Sequence, residues 1–211
     1  MKRIYLYKMV CDNGGAPCVH HSLLSLAICK PKIRNTATKG DLLLGFVGMT
    51  MKREDGRPLA GALIYAAHVT DVLYAKEYYD GRYQGKRNDA IYRWNGSDFE
   101  CLENGFHKPK DKKHDLGECP DQSKVLMSGD YRYFGRSARM WSNYQLVNSC
   151  ISKLMRGHRV NHSEALVDEL NRLENEIWEV PNLGDGEPIQ EPDLISVSDE
   201  DEGSCVVKCR R

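Results

Sequence analysis

Hydrophobic and polar positions divide the chain into a strand-rich first part and a helical second part. "RIYLYKMV" near the N-terminus is a run of strand formers, and the "DNGGAP" after it is a loop by composition. In "HHSLLSLAIC", Leu23, Leu24, Leu26, Ala27 and Ile28 fit a short buried helix or a strand, and periodicity does not choose between them. "KPKIRNTATKGD" reads as a loop closed by a turn, and "DLLLGFVGM" as a buried strand. "LAGALIYAAHVTDVLYAKEYYD" predicts a strand running into a helix or a second strand. Residues 104–124 are polar and too long for a plain connection, which predicts a functional or mobile loop; "KVLMSGDYRYFG" then returns to strand character. From Trp141 the spacing becomes helical. Leu146, Val147, Cys150, Ile151 and Leu154 share one face, as do Ala165, Leu166, Leu170, Leu173, Ile177 and Trp178, with Asn161 or Ser163 as cap and Pro181 as stop. Strands followed by a C-terminal helical hairpin predict an α+β fold with a mixed, mostly antiparallel sheet.

Beyond Pro181, Pro, Gly and acid combine with few apolar anchors, so the chain divides into an α+β domain, 1–180, and a disordered acidic tail, 181–211. The formal net charge of zero hides this asymmetry. Residues 181–211 carry eight acids against three bases, which leaves residues 1–180 at +5. A mildly basic domain permits contact with a polyanion without demanding it. No window is apolar enough for a membrane span, and the N-terminus lacks the apolar run and cleavage site of a signal peptide. An intracellular, cytoplasmic protein without membrane contact is expected, with its eight scattered cysteines reduced.

Cys29 is the first candidate for chemistry. A thiol becomes a nucleophile when nearby cations lower its pKa, and Lys30, Lys32 and Arg34 follow it closely. The plainer reading is a small buried hydrophobe at a strand end. Pro31 predicts extended backbone, so Lys30, Lys32 and Arg34 are expected to alternate onto one face that suits a phosphate, although a solvated loop has the same composition. Cys11, Cys18, His20, His21 and Cys29 form one group of soft ligands and His107, His114 and Cys119 another, but neither has CxxC or zinc-finger spacing, and no metal site is assigned. HExxH, Walker, dinucleotide-glycine and GxSxG patterns are missing, which disfavours P-loop hydrolysis and serine hydrolase chemistry. Tyr78, Tyr79, Tyr83, Tyr92, Trp94, Tyr131, Tyr133 and Phe134 are interleaved with arginines and lysines, as on a surface that stacks bases. Strands with one buried aromatic face give the same alternation. In the tail, "LISVSDEDE" resembles a SUMO-interacting motif and an acid-directed phosphorylation site at Ser198, so residues 190–204 are a candidate protein-binding segment.

With these residues in view, the chain resembles the nucleotide modification associated domain 2 family, found largely in phages and bacteria. The likeness is carried by "DNGGAP", "LAICKPKIRNTATKGDLLLGF", "RNDAIYR", "KKHDLG" and "KVLMSGDYRYFG", in that order over residues 4 to about 145. The resemblance implies handling of modified nucleotides or DNA bases, with nucleotide or nucleic acid as partner and no stated cofactor. By position it implies a pocket of Asp12, Cys29, Lys30, Arg34, Asp41, Asp89, Tyr92, His114, Asp115 and Tyr133. Where the family often has Gly-Asp-Asn, this chain has Arg87, Asn88 and Asp89. "KGDLLLGF" is also similar to the Gly-Asp strand start of PUA-like base-recognition domains, a fold-level analogy.

Two functions fit. In an enzyme, Cys29, or the His114–Asp115 pair with Asp12, supplies nucleophile or general base. Lys30, Lys32 and Arg34 then meet phosphate, Asp41 fixes a turn or touches the base edge, and Asp89, Tyr92 and Tyr133 complete the pocket. The alternative is a non-catalytic reader of a modified base, or an interaction protein, that recruits partners through its tail.

Overall fold

The computed structural model describes residues 2–49, 51, 56, 59–102, 111–181 and 186–190. Its strands are β1 (Ile4–Met9), β2 (Cys18–His20), β3 (Leu23–Leu26), β4 (Leu42–Val47), β5 (Leu63–His68), β6 (Asp71–Tyr74), β7 (Tyr92–Trp94), β8 (Phe99–Cys101), β9 (Lys124–Ser128), β10 (Asp130–Tyr133) and β11 (His158–Arg159). Its helices are α1 (Pro31–Thr36), α2 (Ala75–Tyr78), α3 (Lys112–Leu116), α4 (Gln145–Lys153) and α5 (Glu164–Glu179). One sheet has the order β10-β5-β4-β1-β11 and is antiparallel except for the central β1–β4 pair. A second, antiparallel sheet has the order β2-β3-β9-β6, and β7 and β8 form a separate hairpin. The fold is therefore α+β with a mixed, mostly antiparallel sheet.

The layers explain why β1 reads as a continuous apolar run. Both of its faces are covered, so alternation separates two cores rather than core from solvent. Ile4 and Leu6 join Leu42, Leu44 and Phe46 against Val147 and Ile151 of α4 and Leu166, Leu170, Leu173 and Ile177 of α5. Tyr5, Tyr7 and Met9 face the other way, into the space shared with Leu24, Leu26 and Leu126 of the second sheet. Beyond that sheet, α2, α3 and the β7–β8 hairpin enclose a third core around Tyr79, Tyr92 and Phe99. No helix among the described residues is long and apolar enough to cross a membrane.

"HHSLLSLAIC" resolves to strand β3, and "LAGALIYAAHVTDVLYAKEYYD" to β5, β6 and α2 in turn. The two long helices are separated by β11, which adds to the first sheet at β1, and Ser163 is the cap residue of α5. Within 104–124, residues 111–124 hold α3 and a 3-10 turn at Pro120–Gln122, and residues 104–110 lie outside the described set. The segment expected as a loop at "KPKIRNTATKGD" contains helix α1. Pro31 fits its first turn, where no backbone N–H is required, so the proline starts a helix instead of extending the chain. Of the expected tail, residues 186–190 pack on the domain: Ile189 is buried, and Arg136 Nε donates to Pro188 O at 3.1 Å. The remainder, including "LISVSDEDE", lies outside the described residues.

Helix α5 is fastened to the sheet by His68. Its Nδ1 bonds Asp130 Oδ2 at 2.6 Å and its Nε2 bonds Glu174 Oε1 at 2.7 Å, with the ring on Trp178 at 4.3 Å. The Glu174 hydrogen bond raises the His68 pKa from 6.5 against the opposing effect of burial, and Asp130 adds to the rise. A raised histidine stabilises the fold fully below 6.5 and loses that contribution as pH climbs through its folded-state value. The urea midpoint should therefore fall over that interval in the wild type and stay flatter in His68→Gln. Identical profiles would refute the latch.

Candidate functional site

The register of the first sheet aligns Tyr7, Gly45, Tyr65 and Tyr133 in one row across β1, β4, β5 and β10. Gly45 makes the row possible. A Cβ there would stand 2.4 Å from Tyr65 Cε1 and 2.9 Å from Met9 Sδ, so the Tyr65 ring lies across β4 where any other residue would project. The Tyr7 and Tyr65 hydroxyls hydrogen-bond across this gap. Gly45→Ala is expected to cost about 1–3 kcal/mol by overpacking, read as a lower urea midpoint. An unchanged midpoint would mean that the tyrosines move aside freely.

Asp12, in the loop that leaves β1, closes the row. Its Oδ1 accepts from Tyr133 Oη at 2.8 Å and its Oδ2 from the Ile189 N–H at 3.0 Å. Gln190 completes the grip, its N–H donating to Asp12 O at 2.9 Å and its Oε1 accepting from Asp12 N–H at 3.0 Å. Gly135 admits the 186–190 segment, because a Cβ on its left-handed backbone (φ 48°) would meet Glu187 O at 1.9 Å. At 1% exposure, burial outweighs these hydrogen bonds and lifts the Asp12 pKa to about 6. Burial also pushes the Tyr7, Tyr65 and Tyr133 phenols up, and the charge of Asp12 adds to each. Cys29 and Lys30, both left-handed at φ 56° and 46°, lie beside Tyr7. The half-buried Lys30 holds Nζ 5.7 Å from the Tyr7 ring centroid. Tyr7 thus stands between the Asp12–Tyr133 pair and the Cys29–Lys30 turn, and a carboxyl with a raised pKa among phenols is a group able to exchange a proton.

The other predicted residues fall elsewhere. Lys30, Lys32 and Arg34 do not share a face, because helical residues two positions apart stand about 200° apart around the axis, which leaves Lys32 exposed and Arg34 wholly buried. Arg34 is a clamp: Nε donates to Cys29 O at 2.8 Å, Nη1 to Lys124 O at 2.6 Å and to Ser123 Oγ at 3.2 Å, and Nη2 to Asp115 O. The Asp115 carboxylate accepts from Cys29 N–H and from Tyr92 Oη, each at 2.9 Å, so Tyr92 and Asp115 hold the Cys29 turn from beneath. His114 points to solvent and does not pair with the buried Asp115, since neighbours on a helix project about 100° apart. Asp89 is buried among Ser25, Tyr78 and Arg87, and burial raises its pKa. Asp41 caps the far end of β4 through Arg3 and Thr38, about 13 Å from the tyrosine row by strand rise. It fixes the turn, away from the tyrosine row.

Of the two readings of the aromatics, four tyrosines follow the buried-face one. Tyr78, Tyr79, Tyr92 and Tyr131 are at most 1% exposed and fill the cores, where ring volume is worth more than a solvent face. Among the described residues no group of three His, Cys, Asp or Glu could hold a metal. Tyr7, Gly45, Tyr65 and the Ile189–Gln190 segment were not singled out from sequence; a polar-tipped aromatic inside an otherwise apolar strand was the available signal.

A family model described as nucleotide modification associated domain 2 matches residues 1–192, which takes in both Asp12 and the 186–190 segment folded onto it. No curated protein and no solved structure matches the chain significantly. Coverage of nine-tenths of the sequence leaves the assignment plain: the chain belongs to the nucleotide modification associated domain 2 family.

Proposed function

We propose that the protein processes a nucleotide or nucleic-acid base at the Asp12 end of the sheet. Asp12 is the proton-handling group, Cys29 the thiol beside it, and Lys30 and Lys32 the phosphate contacts. The observation that carries this reading is a buried carboxyl with a pKa near 6, bonded to Tyr133 and acting on Tyr7, whose ring the left-handed Cys29–Lys30 turn adjoins through Lys30. A carboxyl tuned toward neutrality is suited to general acid–base work. The family's association with nucleotide modification supports a nucleotide as the substrate. A left-handed non-glycine pair is a strained arrangement of the kind that collects at ligand sites. A PUA-like kinship rests only on the "KGDLLLGF" analogy.

One observation favours the alternative of a non-catalytic reader: both carboxylate oxygens of Asp12 already accept hydrogen bonds. The two readings separate when the full chain is titrated with nucleoside monophosphates carrying ordinary and modified bases, following binding by calorimetry and consumption by chromatography. For the enzyme, Asp12→Asn abolishes turnover with affinity nearly intact, and Lys30→Ala weakens binding by about tenfold. A reader binds without turnover and loses affinity in both variants. Binding and turnover that ignore both substitutions would reject the site.

A further inference from the structure

We infer that the protein takes its nucleotide as part of a single nucleic-acid strand, laid along a basic edge made by β1, α1 and the loop from α4 into β11. This rests on the nucleotide reading above and adds the polymer to it. Although the chain is neutral overall, its acids are unevenly placed: none lies between Asp12 and Asp41, and none between Asp130 and Glu164. The fold brings these two acid-free stretches together. Tyr7 pairs with His158 and Leu6 with Arg159. Lys8 Nζ reaches Ser152 O, at the end of α4, at 3.4 Å. Burial, and then the charge of Lys32 on α1, lower the His158 pKa, which reports how close α1 lies to β11. Lys30 covers Tyr7 from the same side.

Lys8, Lys30, Lys32, Lys153, Arg156 and Arg159 therefore gather at one edge of the first sheet. The ladder turns Arg159 toward the face of Leu6, opposite Lys30 on that of Tyr7, so positive charge lines both sides of the edge. None of the six has a carboxylate partner among the described residues, whereas Arg3, Arg93 and Lys112 each sit on one. Cations not neutralised in place leave a field for phosphates. The edge leads to the proposed pocket through Lys30, and that pocket is buried, so a base must leave its stack to enter. Such extrusion costs least from a single strand. Met155, 83% exposed beside Arg156, offers an apolar contact for an unstacked base.

The test is an anisotropy titration of the full chain with a fluorescein-labelled single-stranded oligonucleotide over a salt series, with an unlabelled mononucleotide as competitor. The oligonucleotide should bind at least about a hundredfold more tightly than the mononucleotide. Each phosphate contact on a single strand contributes about 0.7 to the log–log salt slope, so Lys153→Gln/Arg156→Gln/Arg159→Gln should lower it by about 2 and leave mononucleotide affinity unchanged. These side chains are exposed, and circular dichroism checks that the variant is folded. Wild-type slope and affinity in the variant would overturn the inference, as would tighter binding to duplex or equal affinity for mononucleotide and strand. If the mononucleotide binds and the strand gains nothing, only the polymer inference falls. If neither binds, the nucleotide reading falls with it.

Discussion

Arg34→Ala is expected to lower folding stability by about 3–5 kcal/mol. The guanidinium is fully buried, where burial pulls its pKa down, and it serves the carbonyls of Cys29, Asp115 and Lys124 together with the Ser123 hydroxyl. Truncation leaves those acceptors without their donor in a space that water does not reach, and adds a cavity. Arg34→Lys should recover little, because an ammonium on a flexible stem cannot reach acceptors spread around a planar fork. Urea denaturation of the two variants decides the matter. A wild-type midpoint with lowered nucleotide affinity would make Arg34 the phosphate ligand that its sequence neighbours suggest, and would refute the clamp.

Asp12→Asn should do the opposite. Between pH 3.8 and about 6 the folded protein holds a proton on Asp12 that the unfolded chain has released, so stability falls as pH rises through that window and stays lower above it. The shift corresponds to at most about 3 kcal/mol. Asparagine keeps both contacts, since its amide can donate to the Tyr133 oxygen and its carbonyl can accept from Ile189 N–H. The variant should be more stable than the wild type above pH 6, by up to about 3 kcal/mol, and should lack the wild-type decline between pH 4 and 6. It should also lose the nucleotide-dependent property. Stability gained where function is lost marks a residue kept for chemistry. A lower melting temperature for Asp12→Asn throughout that range would make Asp12 part of the scaffold.

These two residues show what the sequence does and does not disclose. Strand β1 was legible because Ile4 to Met9 are strand formers with both faces apolar, and α5 because Leu166, Leu170, Leu173 and Ile177 keep helical spacing. Helix α1 was not, because a proline at its start reads the same as a proline in a loop until the following backbone is seen. Arg34 looks like a surface cation because the carbonyls that bury it come from Asp115 and Lys124, distant in sequence. Asp12 and Tyr133 were reached through family resemblance. Their partners Tyr7 and Tyr65 were hidden because only the strand register, with Gly45 between them, brings the hydroxyls together.

The proposed Asp12 site can be tested most directly by carbon NMR of its carboxyl in selectively labelled protein, titrated with pH and then with a nucleoside monophosphate. The account predicts a carboxyl that titrates near pH 6, is absent from the spectrum of Asp12→Asn, and moves when nucleotide is added. A carboxyl titrating near the ordinary aspartate value of 3.8 and indifferent to every nucleotide offered would contradict it.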